Sequence, residues 1–103
     1  MLLNEKIARW LFPDAVEFQK LPDFPNDMNA CITYIVPKLL NGFRGRTLEG
    51  IHFYPQSDGW VCELDMEQVE DRRSPECEVF CDRGSTEPTA FCLAVDKLIK
   101  GEK

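Results

Sequence analysis

The stretch that most constrains the fold is the last quarter of the chain, residues 81–100. It begins as a strand end and continues through a polar turn. There Gly84 permits a positive φ, and Ser85 or Thr86 can accept the first free N–H groups of a helix. Pro88 suits the first turn of that helix. The apolar residues that follow recur at helical spacing: Phe91, Ala94, Val95, Leu98 and Ile99. The stretch predicts a strand followed by an amphipathic helix that covers a sheet.

Length and charge narrow the class of protein. A chain of 103 residues is expected to form one domain, residues 1–103, with roughly two-thirds of its surface buried. Its net charge of −6 argues against direct binding to a nucleic-acid backbone, which needs a clustered positive surface. No apolar run approaches the ~20 residues of a membrane span, and the N-terminus lacks the pattern of a signal peptide. We expect no membrane association and a cytoplasmic location.

The five cysteines fit that compartment: Cys31, Cys62, Cys77, Cys81 and Cys92. Their number is odd and none forms a C-x-x-C pair. We expect reduced thiols that act as small apolar fillers. A zinc site is the alternative, but Cys77 and Cys81, four apart on a strand, lack the chelating geometry that a helix would give them. We therefore predict no metal site and no cofactor.

Before the final helix, the pattern predicts two helices. The first covers residues 4–12, with Asn4 as its cap, and an irregular proline-containing stretch follows. The second covers residues 27–40, with Asn26 and Asp27 supplying its cap chemistry, and Pro37 is expected to kink it or end it early. The predicted buried stripe of the second helix is Met28, Ile32, Ile35, Val36 and Leu39.

Three strands are predicted over residues 48–54, 60–66 and 76–81, and their short links favour an antiparallel meander. In the second strand, Trp60, Cys62, Leu64 and Met66 alternate with an outer set that carries both carboxylates. We assign Phe80 to that outer face in the third strand. The predicted order is α-α-β-β-β-α: an α+β domain in which a three-stranded antiparallel β-meander is packed with helices.

Three segments resemble the phage ABA-sandwich domain family: PDFPND at residues 22–27, WVCEL at 60–64 and TEPTAFCLA at 86–94. This family comprises small bacteriophage and prophage proteins with helices packed about a small sheet. The likeness spans residues 4–100, apart from the basic loop and the charged link. It implies an ABA-sandwich-like fold and no established catalytic residues. The residues that match the family's usual positions are expected to be structural: Asp27, Trp60, Glu87 and Pro88.

Catalysis finds little support in the sequence. His52 is the only histidine, on a predicted strand. No serine, cysteine or aspartate motif marks a partner for it, and no nucleophile elbow, phosphate loop or zinc-protease motif is present. We predict a non-enzymatic protein with no catalytic residues.

Protein interaction is the first binding hypothesis. The strands and their link carry an acidic outer face that can dock a basic host protein by electrostatic steering. A solvated sheet face is the simpler explanation of such charges. The residues assigned to the docking face are Glu63, Asp65, Glu76 and Glu78. The predicted function is that of a phage or prophage accessory protein, in a host bacterial cytoplasm, that modulates a host factor or a host defence.

Anion binding is the alternative hypothesis: a sponge for a small nucleotide or another anionic signal. The helix start at residues 83–86 offers free N–H groups, a nearby loop offers arginines, and a tryptophan can stack a base. Glu87 would repel an anion there. The candidate ligand-binding residues are Arg44, Arg46, Trp60, Arg83, Gly84, Ser85 and Thr86.

Self-association is a further hypothesis, because the chain is rich in large apolar side chains that can remain exposed as a patch. They are Trp10, Phe12, Phe18, Phe24 and Phe43. A homodimer would form through the first helix or an edge strand.

Overall fold

The computed structural model describes residues 2–13, 22–43, 45–68 and 77–101. Within these ranges it confirms the predicted α+β class and the order α-α-β-β-β-α. The helices are α1 (Leu3–Leu11), α2 (Met28–Ala30, a π-helical turn at Cys31–Ile35, and Val36–Asn41) and α3 (Glu87–Lys100). A single 3-10 turn, Phe24–Asn26, precedes α2.

The strands form a three-stranded antiparallel sheet in the order β1-β2-β3, as predicted. They are β1 (Arg46–Gln56), β2 (Gly59–Gln68) and β3 (Cys77–Gly84), each longer than the sequence indicated. A bulge at Glu49 shifts the pairing of β1 with β2 by one residue.

One face of the sheet packs against the helices, and we call it the core face. In β2 it carries Cys62, Leu64 and Met66, which are fully buried as predicted. Helix α3 lies over β2 and β3, and its buried residues join those of α1 and α2 in one apolar cluster. The α3 stripe is confirmed, with Phe91, Ala94, Val95 and Leu98 fully buried and Ile99 packed against them.

The predicted orientation of β3 was wrong. Phe80 is opposite Leu64 in the register, so it faces the core and is 1% exposed. Val79, opposite Asp65, points away and is 41% exposed. Burying the larger aromatic ring removes more apolar surface from water than burying a valine, which favours this orientation.

Helix α2 departs from regular α-helical spacing at its π turn. The fully buried residues Cys31, Ile35 and Leu39 lie four apart, whereas Ile32, predicted to be buried, is 53% exposed. Hydrogen bonding from i to i+5 takes more residues per turn, so positions four apart share one face. The helix also continues past Pro37 to Asn41, because Pro37 lies in the first turn of the segment that follows the π turn.

Two of the three predicted caps are confirmed. The Asp27 carboxylate accepts a hydrogen bond from the Ala30 N–H at 3.1 Å, and the Thr86 hydroxyl accepts one from the Thr89 N–H at 3.3 Å. Asn4 is not a cap, since α1 begins one residue earlier. Its side chain instead accepts a hydrogen bond from the Phe24 N–H at 3.0 Å and so joins α1 to the turn before α2.

Most of the cysteines described in the structure fill the core. Cys31, Cys62 and Cys92 are buried and free, which confirms their role as apolar fillers, and burial raises the pKa of Cys62 to about 12. Cys81 is exposed.

The aromatic residues considered for self-association are packed within the chain, except Phe18, which lies outside the described residues. Phe24 is fully buried. Trp10 meets Phe43 edge-on at 5.5 Å, and Phe12 meets Tyr34 at 5.9 Å. The described part of the chain therefore offers no exposed patch made of these side chains.

Candidate functional site

The face of the sheet opposite the core carries most of the sheet's carboxylates, and we call it the open face. No residue on it is buried, and the described helices pack on the other side. Strand alternation and the register place these residues on it: Gly50, His52, Tyr54, Val61, Glu63, Asp65, Glu67, Val79, Cys81 and Arg83.

At the centre of the open face, an imidazole and two carboxylates come together. His52 lies directly opposite Glu63 across the β1–β2 pair, and its Nε2 atom is 2.9 Å from Asp65 Oδ2. One ligand atom from each of these three residues lies within 4.8 Å of the others. The Asp65 side chain is 23% exposed and that of His52 is 50% exposed, so the group is open to solvent on its outer side.

Two further residues shape this group. The Tyr54 hydroxyl donates a hydrogen bond to Glu63 Oε2 at 3.3 Å, and its ring stacks on His52 at 6.4 Å. Gly50 leaves the space into which the imidazole folds, because a Cβ atom there would lie 3.3 Å from His52 Nε2 and 3.7 Å from Asp65 Oδ2. The bulge at Glu49, directly before Gly50, alters the local twist of β1 beside the group.

Negative charge dominates the open face electrostatically. The carboxylate of Glu63 raises the pKa of Tyr54, because a phenolate there would face a like charge. A hydrogen bond with Glu67, and then repulsion between the two carboxylates, raises the pKa of Glu49. The carboxyl groups of Glu49 and Glu67 are therefore close enough to influence each other's ionisation.

The predicted docking set is only partly on this face. Glu63 and Asp65 are there, and Glu76 lies outside the described residues. Glu78 was assigned wrongly: it is opposite Met66 on the core face and is 6% exposed. Arg46 explains this burial, because its Nε and Nη2 atoms donate to the two Glu78 carboxylate oxygens at 3.1 and 3.2 Å.

The same contact removes Arg46 from the predicted anion site. Its guanidinium is held by Glu78 and lies over the Phe80 ring at 5.8 Å. Arg46 also begins β1, whereas Arg83 is in register with Val61 and so with Tyr54, near the other end of that strand. Eight residues of strand separate Arg46 from Tyr54, which corresponds to about 26 Å along β1. Arg44, the other loop arginine, lies outside the described residues.

Three of the predicted ligand residues do meet: Trp60, Arg83 and Gly84. With Gln56, Asp58 and Gly59 they line a shallow depression of about 150 Å³ beside the β1–β2 turn. The Arg83 guanidinium donates to the Gln56 side-chain oxygen at 3.3 Å.

The start of α3 is largely occupied by its own contacts. Thr86 takes up the Thr89 N–H, and Pro88 has no N–H to offer. Gly84 serves close packing, because a Cβ atom there would lie 2.5 Å from the Ala90 nitrogen. Ser85 is exposed beside this turn. These residues hold α3 against β3, which is a structural role.

Sequence reasoning missed the contact between His52 and Asp65. It searched for a partner within a local motif, while the partner comes from the neighbouring strand, one diagonal step from the paired residue. The sequence did place an imidazole on one predicted strand and two carboxylates on the next, and such side chains can meet across antiparallel strands. The pairing that brings these residues together runs without interruption from the β1–β2 turn to Gly50 and Asp65.

Compared with known proteins, the chain matches no family model, no curated protein sequence and no solved structure. Among the described residues, no helix is both long enough and apolar enough to cross a membrane.

Proposed function

We propose that this protein is a non-enzymatic binding protein whose open face docks the basic surface of a partner protein. The observation that carries the proposal is the row of carboxylates on a sheet face that none of the described helices covers: Glu63, Asp65 and Glu67 on β2, with Glu49 beside them. A partner rich in lysine and arginine is the occupant that complements this charge.

The geometry favours docking over simple solvation in two respects. The carboxylates are half-buried in a rigid sheet, apart from Glu49, which is exposed, so little side-chain freedom remains to be lost on binding. Apolar surface also lies within the same face, where Tyr54 is 45% and Val79 is 41% exposed. Interfaces combine such apolar contacts with a polar surround.

As to biological role, we propose a phage or prophage accessory protein that acts in a bacterial host by binding and so modulates a host factor or a host defence. This part of the proposal rests on the sequence resemblance of residues 22–27, 60–64 and 86–94 to the phage ABA-sandwich domain family.

Charge reversal on the open face tests the docking proposal. Zero-length carboxyl–amine cross-linking in a bacterial extract identifies the partner, and the purified partner is then titrated with Glu63→Lys and with Glu5→Lys. Glu5 is exposed on α1, so its reversal makes the same charge change away from the sheet. We expect Glu63→Lys to weaken binding at least about tenfold, and Glu5→Lys to change it less than about twofold.

Salt and the sites of cross-linking complete the test. Binding should weaken as the salt concentration rises, because exposed charges are screened. The cross-links should join Glu63, Asp65 or Glu67 to partner lysines. A partner that binds both variants equally, or that cross-links only to α1 or α2, contradicts the proposal.

The depression beside Trp60 and Arg83 supports a second candidate, binding of a small anionic nucleotide. In its favour, the aromatic ring and the guanidinium line the same recess. Against it, Asp58 lines the recess as well, and Arg83 is engaged by Gln56. Calorimetry with a panel of cyclic nucleotides decides it: heat that disappears in Arg83→Ala supports this candidate, and flat titrations of the unaltered protein remove it.

A further inference from the structure

The group at the centre of the open face has the composition of a metal site. It brings one imidazole nitrogen and two carboxylates together, each from a different residue of a rigid two-strand ladder. We propose that His52, Glu63 and Asp65 bind one divalent transition-metal ion, of the kind represented by Zn²⁺. This inference concerns the ion alone and does not depend on whether a protein partner docks on the same face.

The spacing of the donor atoms suits one ion. Two ligand atoms about 2.1 Å from an ion lie about 3.0 Å from each other at octahedral angles and about 3.4 Å at tetrahedral angles. His52 Nε2 and Asp65 Oδ2 are 2.9 Å apart, and the Glu63 oxygen lies within 4.8 Å of both. The three donor atoms are within reach of one ion once that ion draws the Glu63 oxygen inward.

The donor set selects the class of ion. Mg²⁺ and Ca²⁺ prefer oxygen ligands alone, whereas an imidazole with carboxylates suits Zn²⁺ and its neighbours in the first transition row. Three protein ligands on an open face leave at least one position for water. The ion would also offset the negative charge that Glu63 and Asp65 bring together.

The surroundings resemble the support that metal ligands receive in proteins. Tyr54 holds Glu63 by its hydroxyl and stacks on the imidazole, which fixes the orientation of two of the three ligands. Gly50 keeps open the space beside Nε2 and Oδ2 that a Cβ atom would narrow. The Cys81 backbone is opposite Glu63 on the other side of β2, but its thiol is not part of the group.

Zinc titration of the purified chain tests the proposal. Because His52 is the only histidine, the imidazole region of the proton–nitrogen NMR spectrum contains a single spin system. We expect ZnCl₂ to shift that spin system with a stoichiometry of one ion per chain, and calorimetry to give the same stoichiometry. His52→Ala and Asp65→Asn should each weaken zinc binding at least about tenfold.

Glu67→Gln is the matched control. It removes the same charge as Glu63→Gln from the same strand and face, but no ligand atom. Binding should change less than about twofold in Glu67→Gln and at least about tenfold in Glu63→Gln. Circular dichroism and the melting temperature establish that each variant is folded before it is titrated.

A variant that removes no ligand sharpens the result. Gly50→Ala places a methyl group 3.3 Å from His52 Nε2 and should weaken zinc binding several-fold while all three ligands remain. The proposal is overturned if the His52 signals do not move at millimolar zinc. It is equally overturned if zinc binding survives His52→Ala and disappears in Cys81→Ser.

Discussion

The two faces of the sheet treat carboxylates in opposite ways. On the core face, Glu78 is almost completely buried and pairs with Arg46 through two hydrogen bonds. On the open face, Asp65 lies beside His52 and keeps contact with water, and its neighbours are further carboxylates. Glu78 and Asp65 belong to neighbouring residue pairs of the same antiparallel strands, β2 and β3. The chemistry of a carboxylate here is decided by the face it occupies.

This contrast separates structure from function within the sheet. A buried charge must be paired and hydrogen-bonded, so the contact between Glu78 and Arg46 is explained by folding alone. Folding does not require the cluster on the open face, because water can solvate each of its side chains separately. Crowding of like charges on the open face opposes folding. A binding role would explain why the chain places these charges there.

The largest expected effect is the loss of an aromatic ring from the core face. Phe80→Ala should lower the free energy of unfolding by about 3 to 5 kcal/mol, because it leaves a cavity between Leu64 and Arg46. Val79→Ala, one residue earlier on the open face, should cost less than about 1 kcal/mol. Urea denaturation measures both. A larger loss in Val79→Ala than in Phe80→Ala would mean that β3 has the opposite orientation.

A smaller effect is expected from neutralising the buried carboxylate. Glu78→Gln leaves the Arg46 guanidinium without its counter-charge and should cost about 2 kcal/mol in urea denaturation. Glu63→Gln makes the same chemical change on the open face, where it relieves repulsion, and should leave stability unchanged or slightly higher. A loss of stability in Glu63→Gln equal to that in Glu78→Gln would remove the distinction between the faces.

The smallest effect concerns the neighbouring carboxyl groups of Glu49 and Glu67. The pKa of Glu49 is raised above its ordinary value of 4.5, so the pair contributes stability below that value and loses it as the pH rises through the raised pKa. At neutral pH, Glu67→Gln should therefore raise the melting temperature slightly, and this gain should vanish at acid pH.

Carboxyl-carbon NMR follows the same pair directly. The titration midpoint of Glu49 should fall towards its ordinary value in Glu67→Gln. Glu5→Gln, which removes a carboxylate from α1, should leave that midpoint where it is. An unchanged Glu49 midpoint in Glu67→Gln would show that the two side chains do not interact.

Much of the fold could be predicted from local patterns. The alternation in β2 identified its buried residues, and the cap at Thr86 with the apolar stripe behind it identified α3. These features depend on residues close in the sequence, so periodicity and capping chemistry are enough to find them.

The remaining features depend on contacts between distant segments. The orientation of β3 follows from Phe80 filling the core and from Arg46, 32 residues before Glu78, supplying its counter-charge. The π turn of α2 changes the spacing of its buried residues. The group around His52 requires a contact between a β1 residue and a residue one diagonal step away on β2. None of these has a local signature in the chain.

The bulge in β1 makes Glu49 a residue that can be deleted without shifting the pairing of the core residues. Leu48 pairs with Met66 and Ile51 with Leu64, both on the core side, although an odd number of steps separates the two β1 residues. Glu49 is the extra, unpaired residue that allows both side chains to face the core. A chain lacking it would keep every other pairing in an unbroken ladder, with the apolar interior intact and one acidic group fewer outside. The outer surface can thus gain or lose a charge here by insertion or deletion, without any cost in core packing.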